Sequence, residues 1–144
     1  MNFNIYLPEE LGQRVRSEDL NLSRMLRDAV TAEFKRRDAM AEALSDSQTY
    51  EFEWKDQDGE YTARITGRQV WPDGKVGQQD HAAIYVASGN RVLVVYPSEQ
   101  DHRDITPDED LMDALRDAYV LDLVEPDEFR EVCRRLGVKP VIDL

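Results

Sequence analysis

The sequence predicts an α+β protein in two parts: a short N-terminal module of one strand and two helices, then an antiparallel-sheet domain with C-terminal helices. Residues 2–7 alternate polar and apolar side chains, which is the period of a strand. Helical signals follow up to residue 44, and the period of 2 returns from residue 49. We therefore expect one domain over residues 1–44 and a second over residues 49–144, separated by the polar stretch 45–48.

The opening strand has no expected partner in its own chain. Its apolar residues are Phe3, Ile5 and Leu7, and Pro8 starts a helix immediately afterwards, so a hairpin cannot return to pair with it. A symmetric dimer would bury these three side chains twice, a gross gain of roughly 12 kcal/mol at about 2 kcal/mol each. We therefore expect a homodimer with Phe3, Ile5 and Leu7 in its core.

Two helices are expected after this strand. The first runs from Pro8 to about Arg16, and the second from Arg24 to about Leu44 with Ser23 as its N-cap. The second helix carries an apolar stripe that we expect to be core, and its basic triplet at residues 35–37 is expected on a solvated face. The stripe comprises Leu22, Leu26, Val30, Phe34, Met40 and Leu44.

The order and spacing of these elements carry a resemblance to a known family. The residues that carry it are Leu7-Pro8-Glu9-Glu10-Leu11, then Val15, then the run from Leu20 to Val30. Together they resemble the ribbon-helix-helix fold of the Arc and MetJ repressors, and most closely its antitoxin-like branch. The resemblance implies an antiparallel ribbon from two subunits that lies in the major groove of double-stranded DNA.

The resemblance also implies which residues contact DNA. The outward residues of the strand, Asn2, Asn4 and Tyr6, would read base edges, and an Asn can pair with adenine through two hydrogen bonds. The start of the second helix would bind a phosphate near Ser23, with Arg24 and Arg27 as nearby cations. The strand itself has no Lys or Arg, so phosphate neutralisation must come from Arg24 and Arg27, from Arg14 and Arg16 of the first helix, or from the amino terminus. In the alternative interpretation, the ribbon only joins two chains.

Charge is distributed unevenly along the chain. The net charge is −12, but residues 1–44 hold eight acidic and seven basic residues, whereas residues 45–144 hold 22 acidic and 11 basic residues. The acidity of the second part has three interpretations: solubility, a docking surface for a basic protein such as a toxin, or a ligand sensor that uses the aromatic residues of the sheet. Those aromatics are Tyr50, Phe52, Trp54, Tyr85 and Tyr96.

The second part is expected to contain two hairpins and two helices. The first hairpin turns at residues 56–59 and the second at residues 88–90, and the strand at residues 91–96 is expected to be central. A separate short strand is expected at residues 68–71, and a polar loop at residues 98–104. One helix should begin at Thr106 or Pro107, and another should run from Pro126 to a stop at Gly137.

A second resemblance concerns this part of the chain. It is carried by the segment Ile65-Thr66-Gly67-Arg68, by a predicted pair of helices, and by the ending Val141-Ile142-Asp143-Leu144. These features are similar to the EXLDI-type proteins. Such proteins also tend to begin with a ribbon-helix-helix-like segment. This similarity implies the same two-part architecture.

No enzymatic chemistry is predicted. His81 and His102 each adjoin an aspartate, but their spacing matches no familiar set of metal ligands, and Cys133 lies on an apolar helical face. The sequence has no apolar run long enough to span a membrane, and its single cysteine fits a reducing cytoplasm. We therefore expect a cytoplasmic DNA-binding regulator without a cofactor; the alternative is an antitoxin-like module that binds a partner protein.

Overall fold

The protein has an α+β fold in a computed structural model that describes residues 4–72 and 82–141. This part contains four α-helices and one five-stranded antiparallel sheet, which confirms the predicted class. None of its helices is long and apolar enough to cross a lipid bilayer. The chain divides into two compact units, Met1–Glu33 and Phe34–Leu144, so the division falls inside the second helix and before the predicted boundary at residues 45–48.

The N-terminal unit consists of an irregular segment and helix α1 (Glu9–Ser17), followed by the first half of helix α2 (Leu22–Leu44). Residues 4–8 belong to no helix and to no strand within the single chain. Helix α1 carries acidic residues in its first turn and basic residues in its last, an arrangement that the helix dipole favours.

The predicted N-cap of α2 is wrong. The side-chain Oδ1 of Asn21 accepts a hydrogen bond from the backbone N–H of Arg24 at 3.0 Å. This is the contact of an N-cap with the third residue of its helix, so the helix begins at Leu22 and Ser23 lies inside its first turn.

The apolar stripe of α2 is core only near its C-terminal end. Met40 is fully buried, whereas Leu26, Val30 and Phe34 are 42%, 45% and 61% exposed. The expectation of a solvated basic triplet is wrong at Arg36, which is buried and donates a hydrogen bond to the carbonyl of Pro107 at 3.3 Å.

The sheet is an antiparallel meander in which each strand pairs with the next along the chain. Its strands are β1 (Gln48–Asp56), β2 (Gly59–Trp71), β3 (Ala83–Ala87), β4 (Arg91–Tyr96) and β5 (Asp101–Ile105). Both predicted hairpins are confirmed. The strand expected at residues 68–71 is the end of β2, and the expected polar loop contains β5. The middle strand is β3, which is buried along its whole length, rather than β4 beside it.

Strand β2 changes partners at Gly67. Its first part, up to Gly67, pairs with β1, and the part from Gly67 to Trp71 pairs with β3. A Cβ atom at Gly67 would lie 2.1 Å from the carbonyl oxygen of Val86, so only glycine permits this close approach of the two strands.

The sheet is strongly curled, because its first and last strands meet. The rings of Trp54 in β1 and His102 in β5 stack with centroids 6.4 Å apart, and the Gln100 side chain accepts a hydrogen bond from the Lys55 N–H. In a flat sheet, four strand spacings would separate these edges by roughly 19 Å. One face of the sheet is therefore concave, and we call it the inner face.

The outer face of the sheet packs against helices in the main core. Helix α3 (Leu111–Asp117) and helix α4 (Pro126–Leu136) contribute to this core together with Met40. Helix α4 starts and stops as predicted, with Gly137 in the left-handed conformation at φ 69°. Helix α3 begins later than predicted, because Asp110 caps it by accepting the Asp113 N–H at 3.0 Å.

Candidate nucleic-acid interface

The residues expected to read DNA bases lie in the segment before α1. Asn4 is exposed and Tyr6 is 90% exposed, whereas Asn2 lies outside the described residues. Of the expected dimer core, Ile5 is 48% exposed and Leu7 is half-buried, and Phe3 is outside the described residues.

The expected phosphate-binding residues lie at the start of α2, and all three are exposed. Ser23 and Arg24 belong to the first turn, which contains no acidic residue, and Arg27 follows one turn later. The only ion pair recorded for these cations in the described chain is a long one, 3.9 Å from Arg24 Nε to Asp28 Oδ2, with both side chains more than 70% exposed. Exposed pairs of this kind are weak, so the guanidinium can exchange its partner for a phosphate.

The helices of this unit expose their apolar side chains. Among described residues 4–33, none is buried. Leu11 of α1 is 48% exposed, and Leu26 and Val30, which are four positions apart in α2, are 42% and 45% exposed. A pair of helices that leaves these side chains half in water has no core of its own.

The described part of the chain offers no metal centre. It contains no group of three or more His, Cys, Asp or Glu side chains placed to hold a metal ion. His102 stacks on Trp54, and Asp104 forms a 2.7 Å ion pair with Arg91, while His81 lies outside the described residues. Cys133 is buried, and burial raises the pKa of its thiol, which keeps the sulfur protonated.

Sequence reasoning missed a partly open cavity on the inner face of the sheet. A cavity of about 380 Å³ lies among residues of all five strands. The alternation of Tyr50, Phe52 and Trp54 is the pattern of a strand with one apolar face, but it does not indicate that the sheet curls around free volume. Four of the aromatic residues named as possible sensor residues belong to the core of the inner face, whereas Tyr96 packs against the main core. The four are Tyr50, Phe52, Trp54 and Tyr85, and of these Phe52 and Trp54 line the cavity.

The chain matches no protein-family model, no curated protein and no solved structure. The candidate interface therefore rests on the chemistry and geometry of its own residues.

Proposed function

We propose that this protein is a homodimeric, sequence-specific DNA-binding regulator whose N-terminal segments form a ribbon-helix-helix unit across two chains. The observation that carries the proposal is the lack of any buried residue among described residues 4–33, in a unit that nevertheless holds regularly spaced apolar side chains. A second copy of the same unit would cover these side chains and give the segment before α1 a partner strand.

The order of elements supports the same proposal. A segment outside any helix precedes two helices of nine and 23 residues, and exposed Arg24 and Arg27 lie at the start of α2, where the Asn21 cap takes up the Arg24 N–H and the N–H groups of Leu22 and Ser23 come before it. Such a helix start attracts a phosphate oxygen through its backbone N–H groups and its dipole. Asn4 and Tyr6 are then the described side chains available for base edges. The resemblance adds Asn2, which lies outside the described residues.

A direct test measures binding to duplexes enriched from a random pool, by fluorescence anisotropy at several salt concentrations. We expect wild-type binding to weaken steeply with salt, with a slope of about −0.9 for each phosphate contacted. Changing Asn2, Asn4 and Tyr6 together to alanine should abolish the preference for the enriched sequence. Gln13→Ala is the matched control, because Gln13 is an exposed polar residue of α1 whose contact is with Glu9 at 3.5 Å.

Two further variants distinguish contacts with phosphates from contacts with bases. Arg24→Ala and Arg27→Ala should each weaken binding to all duplexes about equally and reduce the salt slope by about 1. Salt-insensitive binding, or a triple variant that keeps its sequence preference, would contradict the proposal.

The charge distribution favours a second candidate function, an antitoxin-like module in which the N-terminal unit only joins two chains. Residues 45–144 carry twice as many acidic as basic residues, which suits a basic protein partner. This candidate predicts a dimer that binds no duplex DNA but captures a small basic protein in a salt-dependent manner. Sedimentation equilibrium together with the anisotropy titration distinguishes the two functions.

A further inference from the structure

Strand β1 forms one edge of the sheet. It pairs with β2 along all nine of its residues, and within the described part of the chain no other strand pairs with it. Strands of globular proteins have about 5–6 residues on average, so this edge is long. An edge strand directs backbone N–H and C=O groups away from the sheet, where another extended chain can pair with them.

Two observations identify the outward backbone groups of β1. A two-residue turn joins Asp56 to Gly59, and in such a hairpin the residues that flank the turn exchange hydrogen bonds. Every second residue back from Asp56 therefore bonds to β2, and the residues between them point their backbone groups away from it. Lys55 agrees with this alternation, because its N–H donates to the Gln100 side chain outside the ladder. The other outward groups belong to Thr49, Glu51 and Glu53.

These outward groups are open. Thr49, Glu51 and Glu53 are exposed, and their backbone N–H and C=O groups make no hydrogen bond to another described residue. An added strand pairs through backbone groups of this kind, whatever its side chains are. The edge at residues 49–53 therefore has the chemistry of a strand-addition site.

The two sides of β1 define the side chains of a matching strand. The aromatic residues of β1 belong to the apolar cluster of the inner face, whereas Glu51 and Glu53 lie on the exposed side. Glu51 is 3.1 Å from Arg64, but Glu53 lies opposite Thr62 and forms no ion pair with a described residue. Opposite charges on neighbouring strands stabilise a sheet, so a matching strand has Lys or Arg on this side and apolar residues on the other.

A second copy of β1 does not match this edge. Antiparallel pairing over residues 49–53 of both copies would place Glu51 opposite its own counterpart, and like charges directly opposite each other destabilise a sheet. A basic strand removes this repulsion and gives Glu53 an opposite charge. The charge of the edge therefore favours a different protein as the partner.

We propose that the edge of β1 binds an extended, basic segment of a partner protein by strand addition. The segment pairs antiparallel with residues 49–53, places Lys or Arg opposite Glu51 and Glu53, and turns apolar residues towards the inner face. This inference goes beyond the proposed DNA binding, because it concerns only the sheet of the second unit. For the antitoxin-like candidate, it names the surface that the basic partner would occupy.

The test uses the fluorescein-labelled peptide Thr-Lys-Val-Lys-Val-Thr, titrated with the full-length protein in the absence of DNA and followed by fluorescence anisotropy. In the antiparallel arrangement its lysines lie opposite Glu53 and Glu51. We expect saturable binding of one peptide per chain, and this binding should weaken as salt is added. The same peptide with glutamate in place of both lysines should bind about tenfold more weakly or worse.

Backbone methylation of the peptide distinguishes strand addition from simple charge attraction. In the antiparallel arrangement the lysine N–H groups donate to β1, and the valine N–H groups point away from it. N-methylation of both lysines should therefore reduce the affinity by about tenfold or more, whereas N-methylation of both valines should change it by less than about twofold. The two methylated peptides have the same composition and the same charge.

Two pairs of protein variants locate the edge. Thr49→Pro removes an outward N–H, and an edge position accepts proline because the ladder with β2 keeps its hydrogen bonds. This variant should weaken peptide binding about tenfold. The matched variant Thr49→Val keeps the N–H and should leave the affinity unchanged. Glu53→Gln should weaken binding about threefold, and Glu10→Gln, an equal change of charge at an exposed position of α1, should have no effect.

Circular dichroism checks that each variant is folded, and the methylated peptides require no change in the protein. No saturable binding of the lysine peptide, or equal binding of the two methylated peptides, would overturn strand addition. Equal binding of the glutamate peptide would overturn the basic character of the partner. Because no DNA is present, failure here is distinct from failure of the proposed DNA binding.

Discussion

The two units of this chain use apolar residues in opposite ways. Every buried apolar residue among those described lies at or after Met40, while the apolar residues of α1 and the start of α2 remain partly exposed. Within α2 itself, Leu26 is 42% exposed and Met40 is fully buried. Similar side chains on one helix therefore differ in burial, because Met40 belongs to the second unit and packs into its main core of sheet and helices, whereas the first unit has no such core. The N-terminal unit is held by local interactions, such as the Asn21 cap and the Arg14–Glu18 pair at 3.2 Å.

Glycine substitutions should give the largest difference between the two units in the free energy of unfolding. In Gly67→Ala, the new methyl group would lie 2.1 Å from the Val86 carbonyl oxygen, so backbone must move. We expect a loss of about 4 kcal/mol in the free energy of unfolding, measured by urea denaturation. Gly12→Ala is the matched change in α1, where nothing beyond the two neighbouring residues and the helix's own backbone lies within 4 Å of the new methyl group. This change should stabilise the helix by about 0.5–1 kcal/mol.

The Gly12→Ala variant also tests whether a second chain packs against α1 in the proposed dimer. A destabilising effect that grows with protein concentration would mean that a second chain packs against this position. Equal effects of the two glycine changes would contradict the contrast between the units.

Truncation of a large apolar side chain in each unit should give the next largest effect. Ile84 is fully buried in the main core, and Ile84→Ala should cost about 3–4 kcal/mol at any protein concentration. Leu26→Ala should cost about 2 kcal/mol per chain if a second copy covers Leu26, and the midpoint of unfolding should then depend on concentration. A Leu26→Ala cost below about 0.5 kcal/mol that is independent of concentration would argue against a dimer through this face.

The fold was predictable where signals are local. Alternating side chains and turn residues located both hairpins, and Pro126 with Gly137 bounded α4 correctly. Strand β5 was missed because its sequence Asp101-His102-Arg103-Asp104-Ile105 is polar, and it forms a strand by pairing with β4. Its strand character thus comes from a tertiary partner rather than from its own residues.

The candidate sites were predictable to different degrees. The exposure of Tyr6, Ser23 and Arg24 follows from their place in an amphipathic segment, so sequence reasoning anticipated it. The cavity depends on contact between Trp54 and His102, which are 48 positions apart in the chain. No periodicity encodes that contact, since it arises from the curl of the sheet around Gly67.

Trp71 links the sheet to α4 through a polar contact, and its removal should have a moderate effect on the second unit alone. Trp71→Phe retains a ring but loses the 3.0 Å hydrogen bond to Glu128 Oε2, and we expect a loss of about 1–2 kcal/mol. Glu128→Gln keeps a neutral acceptor and should cost less. A double-mutant cycle from urea denaturation measures the coupling, and a coupling near zero would show that the contact adds nothing to stability.

The smallest expected effect concerns the pH dependence of the second unit. Hydrogen bonds from Arg134, and then from Arg135, lower the pKa of Glu131 from 4.5 to about 2. Because the native pKa lies below the unfolded one, this carboxylate stabilises the fold above about pH 4.5, and the contribution is lost as the pH falls towards 2.

Glu131 also holds Arg135, whose guanidinium donates to the Val70 carbonyl at 3.3 Å and so joins α4 to β2. Glu131→Gln should therefore flatten the stability profile between pH 4.5 and 2, as measured by urea denaturation at a series of pH values, with a small loss at pH 7. Glu10→Gln is the control in the N-terminal unit, where the side chain is exposed in the first turn of α1. If both variants flatten the profile of stability against pH equally, the acid sensitivity is not specific to the α4–β2 contact. The contrast between the two units then does not extend to their charged surfaces.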